Sequence, residues 1–150
     1  MTTSRKARAI GINHVALEVG DIDEALEFYG AWLEFELRGR SDSAAFIDLG
    51  DQFMNFSLGR RQAPDDERHF GLVVDDRQPI LDKLEEMEIA LLPGPFKDFL
   101  DPWGNRIELI DYATIQFSKA PNVLRGMGLE DLEKNDEALA ELAQKGMAPD

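Results

Sequence analysis

Between residues 10 and 19, Val15, Leu17 and Val19 alternate with His14, Ala16 and Glu18, the two-residue period of a strand with one buried face. That parity turns His14 away from the main apolar side. Asp21 follows, with Glu24 three residues on, which is the spacing of an N-cap and its capping box. Ala25, Leu26, Phe28, Tyr29, Trp32 and Leu33 then form a helical apolar stripe. Short strands are predicted over 35–38, 44–49 and 53–58, separated by turns of Gly, Asp and Ser. The order is βαβββ.

The same order then recurs. Phe70, Leu72 and Val74 alternate with His69, Gly71 and Val73; Pro79 sits where a first helical turn tolerates it; Ile80, Leu81, Leu84 and Met87 form the next stripe. Strands are predicted over 89–92 and 96–100. After the turn Asp-Pro-Trp-Gly-Asn at 101–105, a last strand over 106–110 places Ile107 and Leu109 on one face and Glu108 on the other. Matching the two copies makes Asn55 the counterpart of Glu108. Beyond Tyr112, Gly126 and Gly128 interrupt the chain before a modest stripe of Leu132, Leu139 and Leu142 that ends at Lys145 and Gly146, so one or two short helices are expected. The expected organisation is a disordered lead (1–9), a domain over 10–112 made of modules at about 10–60 and 68–112, and a helical extension (113–150).

Composition narrows the chemistry. A chain of 150 residues can bury one good core, or two small modules packed as a unit. With no cysteine, any metal must be held by His, Asp, Glu or amide oxygen. A net charge of -14 repels phosphate backbones, so nucleic acid is not an expected partner. No apolar run is long enough to span a membrane, and the basic start lacks the apolar run of a signal peptide, so the cytoplasm is expected. There are two histidines, His14 and His69. Each opens the same phrase, with Leu at +3, Val at +5 and Asp at +7, which puts a common neutral metal ligand at one place in both copies. A strand histidine alone is most simply a hydrogen-bonded residue, and a strand Glu a solvated one. Two histidines in one register together with Glu108 favour a metal site.

Paired βαβββ modules, a histidine opening each first strand, and the phrase D-P-W-G-N-R-I-E-L closing the second module resemble the vicinal oxygen chelate superfamily of glyoxalases, bleomycin-resistance proteins and dioxygenases. The resemblance covers roughly residues 10–112. It implies an α+β, glyoxalase-like fold of two tandem βαβββ modules with curled mixed sheets, followed here by the helical tail. It also implies a divalent ion (Mn, Fe(II), Ni or Zn) held by His14, His69 and Glu108, and a homodimer in which one subunit's first module faces the other's second. Two imidazoles and a carboxylate leave positions open for a small substrate that chelates through vicinal oxygens, and a Lewis acid there suits isomerase- or lyase-type chemistry. The alternative is a non-catalytic dimeric small-molecule binding protein of the bleomycin-resistance type.

Departures from the family pattern disfavour several members. Asn55 stands where glutathione-type glyoxalases carry a fourth, carboxylate ligand. No third histidine is present to act as the acid/base of a ring-cleaving dioxygenase, and 93–98 is too short for the cation-binding loop of fosfomycin enzymes. Asn55 and Trp103 are candidate substrate contacts, although Asn55 also suits a weak amide ligand or an ordinary strand position and Trp103 a turn aromatic packed on its own hairpin.

Overall fold

The computed structural model describes residues 4–150. Strand β1 (His14–Val19) runs parallel to β4 (Phe53–Leu58), with α1 (Ile22–Gly30), β2 (Leu37–Arg40) and β3 (Ala44–Asp48) between them, giving a four-stranded sheet in the order β1-β4-β3-β2. Strand β5 (Phe70–Val74) likewise runs parallel to β7 (Arg106–Asp111), with α2 (Gln78–Glu86) and β6 (Asp98–Leu100) between, giving the order β5-β7-β6. The fold is α+β, with two open mixed sheets of four and three strands.

Helix α1 starts as expected: the Asp21 side chain accepts from the Glu24 amide, 2.8 Å. Strand β1 is shorter than its expected 10–19 span. Ile10 and Ile12 are 99% and 69% exposed, so the alternation has nothing to bury against before His14. Residues 4–13 form no helix or strand, and residues 1–3 of the expected lead lie outside the described residues. Strand β2 begins two residues later than expected, because Phe35 packs against the core while the edge strand itself is exposed throughout and bulged between Leu37 and Gly39.

The expected strand over 89–92 is not formed, so the second module is βαββ. Helix α2 ends with Glu88 in the left-handed region (φ 59°), the amide of Glu88 donating to Glu85 O and that of Ile89 to Leu84 O, a Schellman closure that redirects the chain. Pro93 and Pro95, which have no N–H, flank Gly94 (φ 128°), and one bond, Leu92 N–H to Asp98 O at 2.8 Å, is what remains of the pairing.

One apolar core serves both modules. Tyr29, Phe56 and Trp32 of the first meet Phe99, Ile107 and Leu109 of the second, and the Trp32 and Phe99 rings pack edge to face at 5.4 Å. The turn after β6 closes the joint. Asp101 and Asn105 are buried; Asp101 accepts from the amides of Trp103 and Asn105 and from the Tyr29 hydroxyl (2.8 Å). Asn105 Nδ2 donates to Asp101 and across the modules to Glu18 O at 3.0 Å, while Asn105 Oδ1 accepts from Arg60 at 2.6 Å. Gly104 needs its positive φ of 92°, and a Cβ there would lie 2.6 Å from the Pro64 Cα.

The tail carries a 3-10 turn (Tyr112–Thr114), α3 (Pro121–Gly126) and α4 (Asp136–Gln144). The last helix starts after Leu132, the first residue of the expected stripe, and is capped by Asn135, because Lys134 just before it is held by the carbonyls of Tyr112 (2.8 Å) and Ile115 (2.7 Å) and lies over the Tyr112 ring. The segment between the turn and α4 reaches back to the first module, where Lys119 pairs with Asp51 and Met127 packs on Gly50.

Candidate metal centre

Each sheet has a core face and an open face, and strand parity decides which residues share the latter. In the first sheet, His14 lies opposite Phe53, Ala16 opposite Asn55 and Phe46 opposite Asn55 in register. The alternate residues, Leu17, Val19, Met54, Phe56, Ala45 and Ile47, are buried in the core. In the second sheet, Gly71 lies opposite Glu108 and Asp98 opposite Glu108, with Leu72, Leu109, Phe99 and Ile107 buried on the other face. His69 immediately precedes β5 and shares the parity of Gly71.

The two modules therefore repeat at the level of register. Asn55 pairs with the residue two beyond His14, and Glu108 with the residue two beyond His69. Each open face thus carries a histidine and, one strand over and two residues along, an oxygen-bearing side chain. Among the described residues of one chain, no three His, Asp or Glu side chains lie close enough to share an ion. His69, just before β5, and Glu108 on the neighbouring β7 belong to one sheet, and His14 and Asn55 to the other.

Hydrogen bonds set the imidazoles. His69 Nδ1 lies 2.7 Å from Glu67 O, an acceptor, so Nδ1 carries the proton and Nε2 presents its lone pair. His14 Nδ1 lies 2.9 Å from Asn13 Oδ1, with the same consequence, and its ring is stacked on Phe53 at 4.7 Å and 8°. Both histidines are exposed. Asn55 is tied by its Nδ2 to Ser57 Oγ at 3.2 Å, leaving its carbonyl oxygen as the coordinating atom it can offer.

Glu108 is half-buried, and one carboxylate oxygen sits 3.8 Å from where a Cβ on Gly71 would be. It also borders a cavity of about 240 Å³ with Arg77, Phe96, Lys97 and Ile115. The neighbouring Asp98 carboxylate is already neutralised: Arg106 reaches it at 2.5 and 2.6 Å and also donates to Asp66 O. That pair leaves Glu108 as the free carboxylate of the pair opposed across β6 and β7. Sequence reasoning missed this Asp98–Arg106 clamp, although both residues share Glu108's parity. It also missed the aromatic setting of His14, for which the parity of Phe53 and Phe46 was the available signal.

Trp103 lies elsewhere. Its indole edge packs on Gly20, where a Cβ would come within 2.6 Å of Nε1, and the ring lies against the shared core. The chain has no helix among the described residues long and apolar enough to cross a membrane.

Two open-faced modules of this topology, packed through one core, define a paired-module glyoxalase-like protein. The chain belongs to the Glyoxalase/Bleomycin resistance protein/Dioxygenase superfamily, whose sequence model matches residues 11–109. It is 26% identical over 110 residues to "Glutathione transferase FosA" of Serratia marcescens, covering 65% of this chain and 78% of that protein. Solved structures of the same fold include fosfomycin resistance protein FosX of Mesorhizobium loti (16% identity, TM-score 0.57, 69% of this chain and 92% of that one). Another is a mutant of FosX of Listeria monocytogenes, solved with Mn(II) and 1S,2S-dihydroxypropylphosphonic acid (16%, TM-score 0.59, 69% and 90%). A putative glyoxalase family protein of Bacillus anthracis also matches (21%, TM-score 0.58, 71% and 98%).

Proposed function

We propose that this protein is a divalent-metal-dependent enzyme in which His69 and Glu108 of one subunit and His14 of a second hold one ion, and that it acts on a small substrate chelated through vicinal oxygens. The observation that carries the reading is the matched setting of the two imidazoles. Each has Nδ1 fixed by an oxygen acceptor and Nε2 free, as an outer partner fixes a metal-ligating histidine. The donor set of two neutral imidazoles and one carboxylate suits Mn, Fe(II), Ni or Zn. A second copy is part of the proposal because His14 lies on the other sheet from Glu108 and no three-ligand cluster forms among the described residues of one chain. The Mn(II) of the Listeria relative supports the same reading.

When bound, the ion would act as a Lewis acid toward negative charge developing on a substrate oxygen. The chain's own residues do the rest. Phe53 holds the His14 ring in plane, Arg106 keeps Asp98 from competing with Glu108, and the Asn55 amide faces the open side as a substrate contact. With no further histidine to act as the acid/base of ring cleavage, isomerase- or lyase-type chemistry is the favoured reading. Metal analysis of the purified protein after loading with Mn(II) tests the proposal. The wild type is expected to retain the ion and His69→Ala to lose it; a wild type that retains none contradicts it.

A second reading, a dimeric binding protein that sequesters an apolar molecule, is favoured by Asn55 in place of a fourth carboxylate. Ligand binding indifferent to chelator would support it.

A further inference from the structure

Phe53 is sandwiched. Its ring is parallel to His14 on one side at 4.7 Å, which leaves the other face to the Arg38 guanidinium, whose carbon lies 4.7 Å from the ring centroid. Phe46, on β3 between them, tilts against the same ring at 6.0 Å. The row imidazole, phenyl, guanidinium thus crosses the open face of the first sheet from β1 to its bulged edge strand β2. The bulge between Leu37 and Gly39 shifts the strand register next to Arg38.

Arg38 also differs from its neighbours in charge pairing. Arg40, two residues on along the same strand, is engaged by Asp23. Among the described residues Arg38 has no carboxylate within 4.0 Å. The carboxylate nearest in register on this face, Asp48, accepts from the Gly50 amide of its own turn. A guanidinium held over an aromatic ring and paired with no carboxylate has N–H donors to offer, in the fork geometry that matches an oxyanion. On a protein of net charge -14 the surrounding field opposes anions, so a cation held on the site face would select for one locally.

We infer that Arg38 is the specificity residue of this site, and that the substrate is an organic oxyanion. Its two adjacent oxygens chelate at His14's end of the row, and its negative group, separated by about the width of one ring, is bound by Arg38 at the other, with Phe46 and Phe53 flooring the space between. The inference rests on the metal-centre reading above for the chelating end and on the Phe53 sandwich alone for the anionic end.

The test uses the full chain loaded with Mn(II) and two probes, 3,4-dihydroxybenzoate and 3,4-dihydroxybenzamide, which share adjacent oxygens and a ring and differ in charge. By calorimetric titration the acid is expected to bind about tenfold more tightly than the amide, a difference of roughly 1.4 kcal/mol. Arg38→Gln should bring the acid to the amide's affinity and leave the amide's unchanged. Equal affinities in the wild type, a preference that survives Arg38→Gln, or no binding of either probe overturns the inference. Electron paramagnetic resonance of Mn(II) in the same samples separates the two layers. If the wild type holds no ion, the metal-centre reading fails, while an acid preference abolished by Arg38→Gln still supports the anion site.

Discussion

Removing the Asn105 side chain should loosen the joint between the modules. Asn105 is 3% exposed, and its amide makes three bonds: to Glu18 O (3.0 Å), to Asp101 Oδ2 (2.8 Å) and from Arg60 (2.6 Å). A net hydrogen bond contributes about 1 kcal/mol and one to a charged group about 1.5–3, and burying an orphaned partner adds to the loss. The sum is not additive, since Arg60 keeps Asp65 and Ala63 O while Asp101 keeps Tyr29 and the amides of its turn. We therefore expect Asn105→Ala to cost about 3 kcal/mol, a fall in Tm of roughly 6–12 °C at this chain length. Urea unfolding at fixed protein concentration is the assay, followed by fluorescence of Trp32 and Trp103, one in each module. Arg40→Ala, which breaks an exposed pair with Asp23, serves as comparator and should cost under about 1 kcal/mol. A loss below about 1 kcal/mol for Asn105→Ala would refute the view that this turn locks the modules.

Two further outcomes follow from the same scaffold. Burial first, then the Asp101 charge and hydrogen bond, push the Tyr29 hydroxyl well above its ordinary value of 10.0. The folded state keeps a proton that the unfolded chain releases, so this stabilisation is full below about pH 10 and is lost as pH rises beyond it. Tyr29→Phe should cost about 1–2 kcal/mol at neutral pH and flatten the alkaline loss of stability, and an unchanged alkaline slope in denaturation scans would contradict this. Glu88 closes α2 at φ 59°, where a non-glycine residue costs about 1–2 kcal/mol, partly offset by glycine's greater unfolded freedom. Glu88→Gly should raise stability by about 0.5–1 kcal/mol in thermal unfolding, and a destabilised variant would count against the Schellman assignment.

Much of the first module was legible because its periods are clean. Val15, Leu17 and Val19 reach one core, and Asp21 caps the helix that the Ala25 to Tyr29 stripe buries. Strand β2 was offset because an edge strand exposed on both sides carries no burial period. Residues 89–92 are a short apolar run like that of a strand, yet pairing depends on the prolines at 93 and 95 and on how Glu88 turns the chain, which apolar spacing does not record. At the site, the parity of His14, His69 and Glu108 could be read residue by residue, and so could the correspondence of Asn55 with Glu108, because strand side chains alternate strictly. The Phe53 sandwich could not, since it depends on cross-strand register and a bulge. The buried roles of Asp101 and Asn105 in D-P-W-G-N were equally hidden, because their partners Tyr29, Arg60 and Glu18 lie more than forty residues away.

If one ion is shared between subunits, two variants that each lack one of its histidines should complement one another. His14→Ala and His69→Ala are each expected to bind no Mn(II). Unfolded together and refolded as a mixture, they should regain ion binding, because a mixed dimer pairs the intact His14 of one subunit with the intact His69 and Glu108 of the other, giving one complete site per mixed dimer. Recovered Mn(II) measured on the mixture is the predicted result. No recovery from a mixture shown to contain mixed dimers would contradict the shared site.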